Sequence, residues 1–216
     1  PLDAFVVCCR ARVPKKGFGV VVPKSYRHTQ AMPLVLSLPS RLDDKWETSQ
    51  NHFDATWDGS ARTEDSIIAV PDLDDGLDFD TMLQADATNA STVRRDRKIA
   101  VLGTAVGVRT NYRVDYARIF LDCGKGSSFY GLRFATYSPQ FLAGLILRDP
   151  QRLGDETGLG SMKGLPVLLI SSDKTKAACD ELKAKLDALQ PGACTVIDGE
   201  GGYPFKDSQK AIDEWV

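Results

Sequence analysis

From Ala117 to the end of the chain, short apolar runs alternate with segments whose apolar residues recur every three or four positions, and that alternation admits one broad architecture. Ala117 to Leu121, Ala143 to Leu147, Pro166 to Ile170 and Cys194 to Ile197 read as strands; Ser128 to Tyr137, Lys174 to Leu189 and Ser208 to Val216 read as helices. The second of these helices places Ala178, Leu182, Leu186 and Leu189 on one stripe. Strand-helix-strand units with right-handed crossovers build an open, mainly parallel sheet covered by helices on both faces.

The first half supplies a different beginning. Ala4 to Arg12 and Gly17 to Val22 read as strands joined by a turn at Lys15-Lys16-Gly17, which gives the sheet an antiparallel edge. Pro33 to Leu38 is nearly continuous in apolar character, as a strand covered on both faces should be. The span from Arg41 to Arg62, with Trp46, His52, Phe53 and Trp57, is expected to hold one helix within a loop. Ser66 to Val70 is another buried strand, stopped by Pro71. Five aspartates between Asp72 and Asp80 read as a solvated loop, because the calcium-loop spacing and its closing glutamate are missing. A helix is expected over Val93 to Val108, weakened by Gly103 and Gly107.

The expected fold is therefore a three-layer α/β/α sandwich of about eight strands, and 216 residues suit one such domain. With 27 basic and 29 acidic residues and no basic stripe, nucleic acid is a poor partner, and no apolar run is long enough for membrane insertion. Five cysteines without metal-binding spacing read as reduced thiols, which favours the cytoplasm; no metal or other cofactor is expected. The chain starts at Pro1 without an apolar leader and is expected to belong to a longer polypeptide, whose flanking domains or another protein would be its partners.

The chemistry of such a sheet sits at the carboxyl ends of its strands. There the chain reads Asp122-Cys123-Gly124-Lys125-Gly126-Ser127-Ser128, a glycine-lined turn between a strand and a helix. Pro33-Leu34-Val35-Leu36-Ser37-Leu38, the Tyr112 to Ile119 segment, Tyr130-Gly131-Leu132-Arg133-Phe134-Ala135, Phe141 to Leu145 and Leu165 to Ile170 follow in a familiar order. As a set they resemble the α/β-hydrolase superfamily, of the esterase or polyhydroxyalkanoate-depolymerase-like type, over about residues 15 to 216. That family carries Gly-x-Ser-x-Gly at the turn. The resemblance puts Lys125 at the serine, Cys123 at the first glycine and Ser127 at the second.

Departures from the family gather at its chemistry. Pro39-Ser40 stands where His-Gly usually helps to form the oxyanion hole, and proline has no N–H to donate. After the last strand, where the family's histidine belongs, the chain reads Gly199-Glu200-Gly201-Gly202-Tyr203-Pro204. Only the acid carries over, to Asp173 or equally to Thr175, and an aspartate without a histidine has no imidazole to orient. The resemblance thus implies a hydrolase scaffold without its triad, serving as a binding or structural domain.

Two other readings stay open. Lys125, Ser127 or Cys123 in an unusual constellation with Asp173 would make an ester or thioester hydrolase. The turn amides of Gly124 and Gly126, with Lys125, Ser40 and Tyr203, would instead hold a small ligand or anion. Against these, Lys125 is read as a snorkelling side chain that pairs with Asp122 or Asp173, Ser127 and Ser128 as helix caps, and Cys123 as packed under the turn. His28 reads as part of a connector and His52 as a partly exposed structural histidine; Phe205 packs under the closing helix, while Tyr203 offers an aromatic rim.

Overall fold

The computed structural model describes residues 6–8, 17–42, 45–73, 101–150, 158–199 and 202–216. Its main sheet has eight strands in the order β1-β2-β6-β3-β7-β8-β9-β10. These are β1 Val6–Cys8, β2 Phe18–Val21, β3 Met32–Leu38, β6 Ile67–Pro71, β7 Val114–Cys123, β8 Gly144–Arg148, β9 Val167–Ser171 and β10 Cys194–Asp198. The pairs β1/β2 and β2/β6 are antiparallel and all the others parallel, so the expected antiparallel edge and parallel body are both present.

Alternation along each strand sends side chains to two separate cores. On one face Leu34, Leu36, Leu121, Leu145, Leu147 and Leu169 pack against a helix over residues 101–111 (α2), α3 (Ser128–Tyr137) and α4 (Lys176–Leu189), through residues such as Val108, Leu132 and Leu182. On the other, Val35, Ile68, Phe120, Ile146 and Leu168 meet α1 (Ser49–Thr56) and α5 (Gln209–Trp215) through Phe53, Trp57, Phe205 and Ile212. The molecule is the three-layer sandwich the alternation implies.

Parity also places the polar groups. Ser37, Asp122 and Arg148 lie two residues beyond Val35, Phe120 and Ile146, so they share the face toward α1 and α5, at the carboxyl end of the sheet. All three are fully buried. Phe205 packs against the α5 face as expected, with its backbone left-handed at φ 64° and its ring directly over Gly199.

The span 41–62 is richer than one helix. A short antiparallel ribbon pairs β4 (Arg41–Leu42) with β5 (Lys45–Trp46) ahead of α1, and a 3-10 turn follows at Ala61–Glu64. Of the acidic stretch, Asp72 accepts a hydrogen bond from Ser49 Oγ at 2.7 Å, and Asp74 to Asp80 lie outside the described residues. So do Lys15 and Lys16 of the expected turn and residues 93–100 of the expected helix, whose remainder runs on through Gly103 and Gly107.

Candidate functional site

The turn between β7 and α3 is held from within. Gly126 takes φ 82°, a conformation that glycine adopts without strain, and Ser127 N donates to Gly124 O at 3.0 Å. Gly124 is hemmed in: a Cβ there would stand 2.6 Å from Tyr203 Oη, 3.3 Å from His52 Cε1 and closer still to Ser40 Oγ. The backbone at this turn therefore touches three side chains from distant parts of the chain.

Lys125 leaves the turn sideways. Its Nζ lies 3.6 Å from Asp149 Oδ2, with 31% of the side chain exposed. Asp149, buried at the end of β8 with φ 49°, is fixed by Ser172 Oγ at 2.5 Å and Thr175 Oγ1 at 2.8 Å. The sequence pointed to Asp122 or Asp173 as the lysine's partner, but Asp122 is taken by Arg148 and Asp173 is exposed, whereas Asp149 directly follows β8, the strand paired with β7. Thr175, the alternative position for the acid, is a hydroxyl donor to Asp149.

The other candidate nucleophiles are spent or covered. Cys123 has no exposed surface, and its thiol is pushed well above its ordinary pKa by burial, reinforced by the Asp122 charge. Gly131 packs directly against its sulfur, so the thiol lies under the turn as expected. Ser127 does not cap α3 through its side chain; it donates to Gly124 O at 2.9 Å and also lies 3.3 Å from Leu38 O. Ser128 Oγ likewise points back to Gly124 O at 3.2 Å. Both hydroxyls tie the turn together instead of capping the helix.

Beside the turn runs the loop after β3. Pro39 contributes no amide, and the Ser40 N–H donates to Glu47 Oε2 at 3.1 Å. Neither position is left to stabilise an oxyanion. Ser40 Oγ donates to Tyr203 Oη, which brings the loop after β10 down onto the turn. Tyr203 is thus packed against the turn, not standing at an open rim, and burial, followed by the Glu47 charge, pushes its phenol well above the ordinary tyrosine value.

Beneath these residues lies a continuous buried hydrogen-bond chain. Glu47 Oε2 meets His52 Nδ1 at 2.9 Å, His52 Nε2 meets Ser37 Oγ at 2.9 Å, Ser37 Oγ donates to Asp122 Oδ2 at 2.7 Å, and Arg148 Nε donates to Asp122 Oδ1 at 2.8 Å. Trp57 Nε1 adds a donation to Ser37 Oγ at 2.9 Å, and the Arg148 guanidinium stacks 5.1 Å from the Trp57 ring. Arg148 Nη1 also reaches Gln209 Oε1 at 3.3 Å and Pro204 O at 3.4 Å. Ser37 has one proton, and it goes to Asp122.

The order serine, histidine, carboxylate in Ser37, His52 and Glu47 matches the connectivity of a catalytic triad. Its serine, however, is completely buried on a central strand, and its proton is directed away from the imidazole. Such a group has no exposed surface to offer a substrate. His52 itself is fully buried, not partly exposed as its polar surroundings in sequence suggest. Phe53 and Trp57, spaced one and five residues after it, were the available signal that this helix turns inward. His28 is exposed in the connector before β3, with Nδ1 3.2 Å from Tyr26 Oη.

Among the described residues no group of histidines, cysteines and carboxylates has the arrangement of a metal site, and no helix is long and apolar enough to cross a membrane.

The sequence matches no family profile and no curated protein. The structure resembles many solved ones. A thermostable esterase superposes with a TM-score of 0.67 at 15% identity, over 99% of this chain and 62% of the esterase. The S-formylglutathione hydrolase FrmB from Staphylococcus aureus gives 0.64 at 12% identity over 93% of this chain and 88% of its own. A phospholipase/carboxylesterase from Dyadobacter fermentans DSM 18053 gives 0.65 at 13% identity, over 93% and 95%. The chain has the α/β-hydrolase fold.

Proposed function

We propose that this chain is a catalytically silent α/β-hydrolase-like domain whose role is binding or structural. The observation that carries the reading is the closed condition of the turn after β7. A lysine stands at the position the fold gives to the nucleophile, and Tyr203 and Ser40 lie against Gly124 beside it. Acyl transfer on this scaffold needs a nucleophile, a base within hydrogen-bond reach and two converging amide donors. Lys125 is paired with Asp149, the one histidine nearby is engaged at both nitrogens, and the Ser40 amide is bonded to Glu47.

An unusual ester or thioester hydrolase built on Lys125, Cys123 or Ser127 has less support. It requires a buried, strongly basic thiol, a hydroxyl already donated to a carbonyl, or an amine held by a carboxylate to act without a base. The direct test is turnover across a panel of short-chain acyl esters and thioesters, comparing the intact chain with Lys125→Ala at matched folding. The expected result is no turnover by either; turnover that disappears with the lysine would replace this reading with an enzymatic one.

A further inference from the structure

We propose that the depression at the opposite, amino-terminal end of the sheet binds a small organic dianion of the phosphate-monoester class, through Arg109 and Arg113 and the Tyr116 ring. The depression is about 640 Å3 and is lined by residues that include His28, Asn111 and Asp115. That size is typical of a small-molecule site.

It arises from an irregularity in the central sheet. Met32 pairs with Val114 and Leu34 with Ile119, so two steps along β3 span five along β7, and the residues between are thrown off the ladder. Bulges of this kind re-aim side chains, and here Tyr116 is left 55% exposed. The end of α2 supplies Arg109, whose guanidinium lies 4.3 Å from the Tyr116 ring centre and makes no ion pair among the described residues. Arg113 spends one donor on Thr29 O, at 3.4 Å, and among the described residues the rest of its fork has no other bond. His28 keeps Nε2 available, since its bond to Tyr26 uses Nδ1.

The charge balance selects an anion. Asp115 is the carboxylate lining the depression, and Arg118 binds it at 2.8 Å and holds its pKa below the usual range. Among the described residues, the exposed Arg109 and Arg113 then have no counter-charge. Near the end of α2 the carbonyls of Val106, Gly107 and Val108 accept from Thr110 Oγ1, Asn111 Nδ2 and the Tyr112 N–H at 2.8 to 3.0 Å. Guanidinium forks match the paired oxygens of a phosphate, and the exposed tyrosine offers apolar surface for the organic part. None of these residues belongs to the turn after β7.

The probes are phenyl phosphate and benzoate, which share a ring and differ in charge, titrated into the isotope-labelled full chain with backbone amide shifts as the readout. Phenyl phosphate is expected to saturate, shifting residues 28–31 and 109–117, and to bind more tightly than benzoate. The Arg109→Gln/Arg113→Gln variant should weaken it by about tenfold or more, since charge-assisted bonds contribute about twice a neutral one. Tyr116→Ala should weaken it less, and Lys125→Gln should not change it. Both arginines are exposed, so the double variant is expected to fold, and its circular dichroism checks that. Absence of saturation, unchanged affinity in the double variant, equal affinity for benzoate, or shifts confined to residues 124–128 would each overturn the proposal.

Discussion

The Glu47 carboxylate holds the Ser40 backbone N–H at 3.1 Å, and in doing so occupies an amide of the loop that lies against the turn after β7. Glu47 belongs to the segment that leads from the β4/β5 ribbon into α1, so its reach to Ser40 ties the start of α1 to the end of β3. The same carboxylate oxygen meets His52. One side chain therefore occupies the Ser40 amide and anchors the buried polar chain.

That double engagement predicts the outcome of restoring a nucleophile. Lys125→Ser should fold and should show no turnover of p-nitrophenyl acetate above the Lys125→Ala background. A serine there has no free imidazole to take its proton and no Ser40 amide to receive the developing charge. Losing one oxyanion donor alone costs about 10²–10³ in rate in an intact triad, and here the base is missing as well.

The crowding at Gly124 makes a separate prediction. Gly124→Ala should lower stability by roughly 1–3 kcal/mol in urea unfolding, the usual range for overpacking a closed site. The new methyl would press on Tyr203 Oη and Ser40 Oγ. Tyr203→Phe in the same chain should recover part of the loss, because the phenol oxygen is one of the two atoms displaced.

Much of this fold was legible in the sequence, and the reason is periodicity. The strands Met32–Leu38 and Val167–Ser171 are buried on both faces and read as nearly continuous apolar runs, and Lys176–Leu189 carries its apolar stripe at helical spacing. What escaped was set by contacts far apart in sequence. Ser37 lies 85 residues from Asp122, and Ser40 lies 163 from Tyr203. A polar residue at the end of an apolar strand does not announce which distant charge it will meet. The β4/β5 ribbon was missed because its strands are two residues each, too short for any pattern. Lys125 was singled out from the turn's spacing, but its partner Asp149 depends on the register between β7 and β8.

The buried chain should respond unevenly to single substitutions. Ser37→Ala strands Trp57 Nε1, His52 Nε2 and one oxygen of Asp122, and should cost roughly 2–4 kcal/mol, since an unmet buried polar group costs about 1–3 kcal/mol. Arg148→Met leaves Asp122 charged and buried without its partner, and about 3–5 kcal/mol is expected. Adding Asp122→Asn to Arg148→Met should return part of that loss. Equilibrium unfolding of the three variants measures the coupling.

Alkaline pH should loosen the domain. Burial pushes the Cys179 thiol up to about 11 and the Cys194 thiol up to about 12, while the unfolded chain releases these protons near pH 8.5–9. The folded state then binds more protons than the unfolded one over that window, so stability falls as pH rises. Their contribution is fully present below about pH 8 and is lost progressively up to the folded values. The melting temperature should decline from about pH 9 upward, and less steeply in Cys194→Ala than in the intact chain once each is referred to its own value at pH 7.

The most direct test of a silent turn is covalent. The intact chain, incubated with excess p-nitrophenyl acetate and then with a fluorophosphonate, is read by intact mass and peptide mapping of residues 114–137. The account predicts no stoichiometric acyl or phosphonyl adduct on Cys123, Lys125, Ser127 or Ser128. A single adduct that forms at one of these residues in the folded protein, and is lost on prior unfolding, would contradict it.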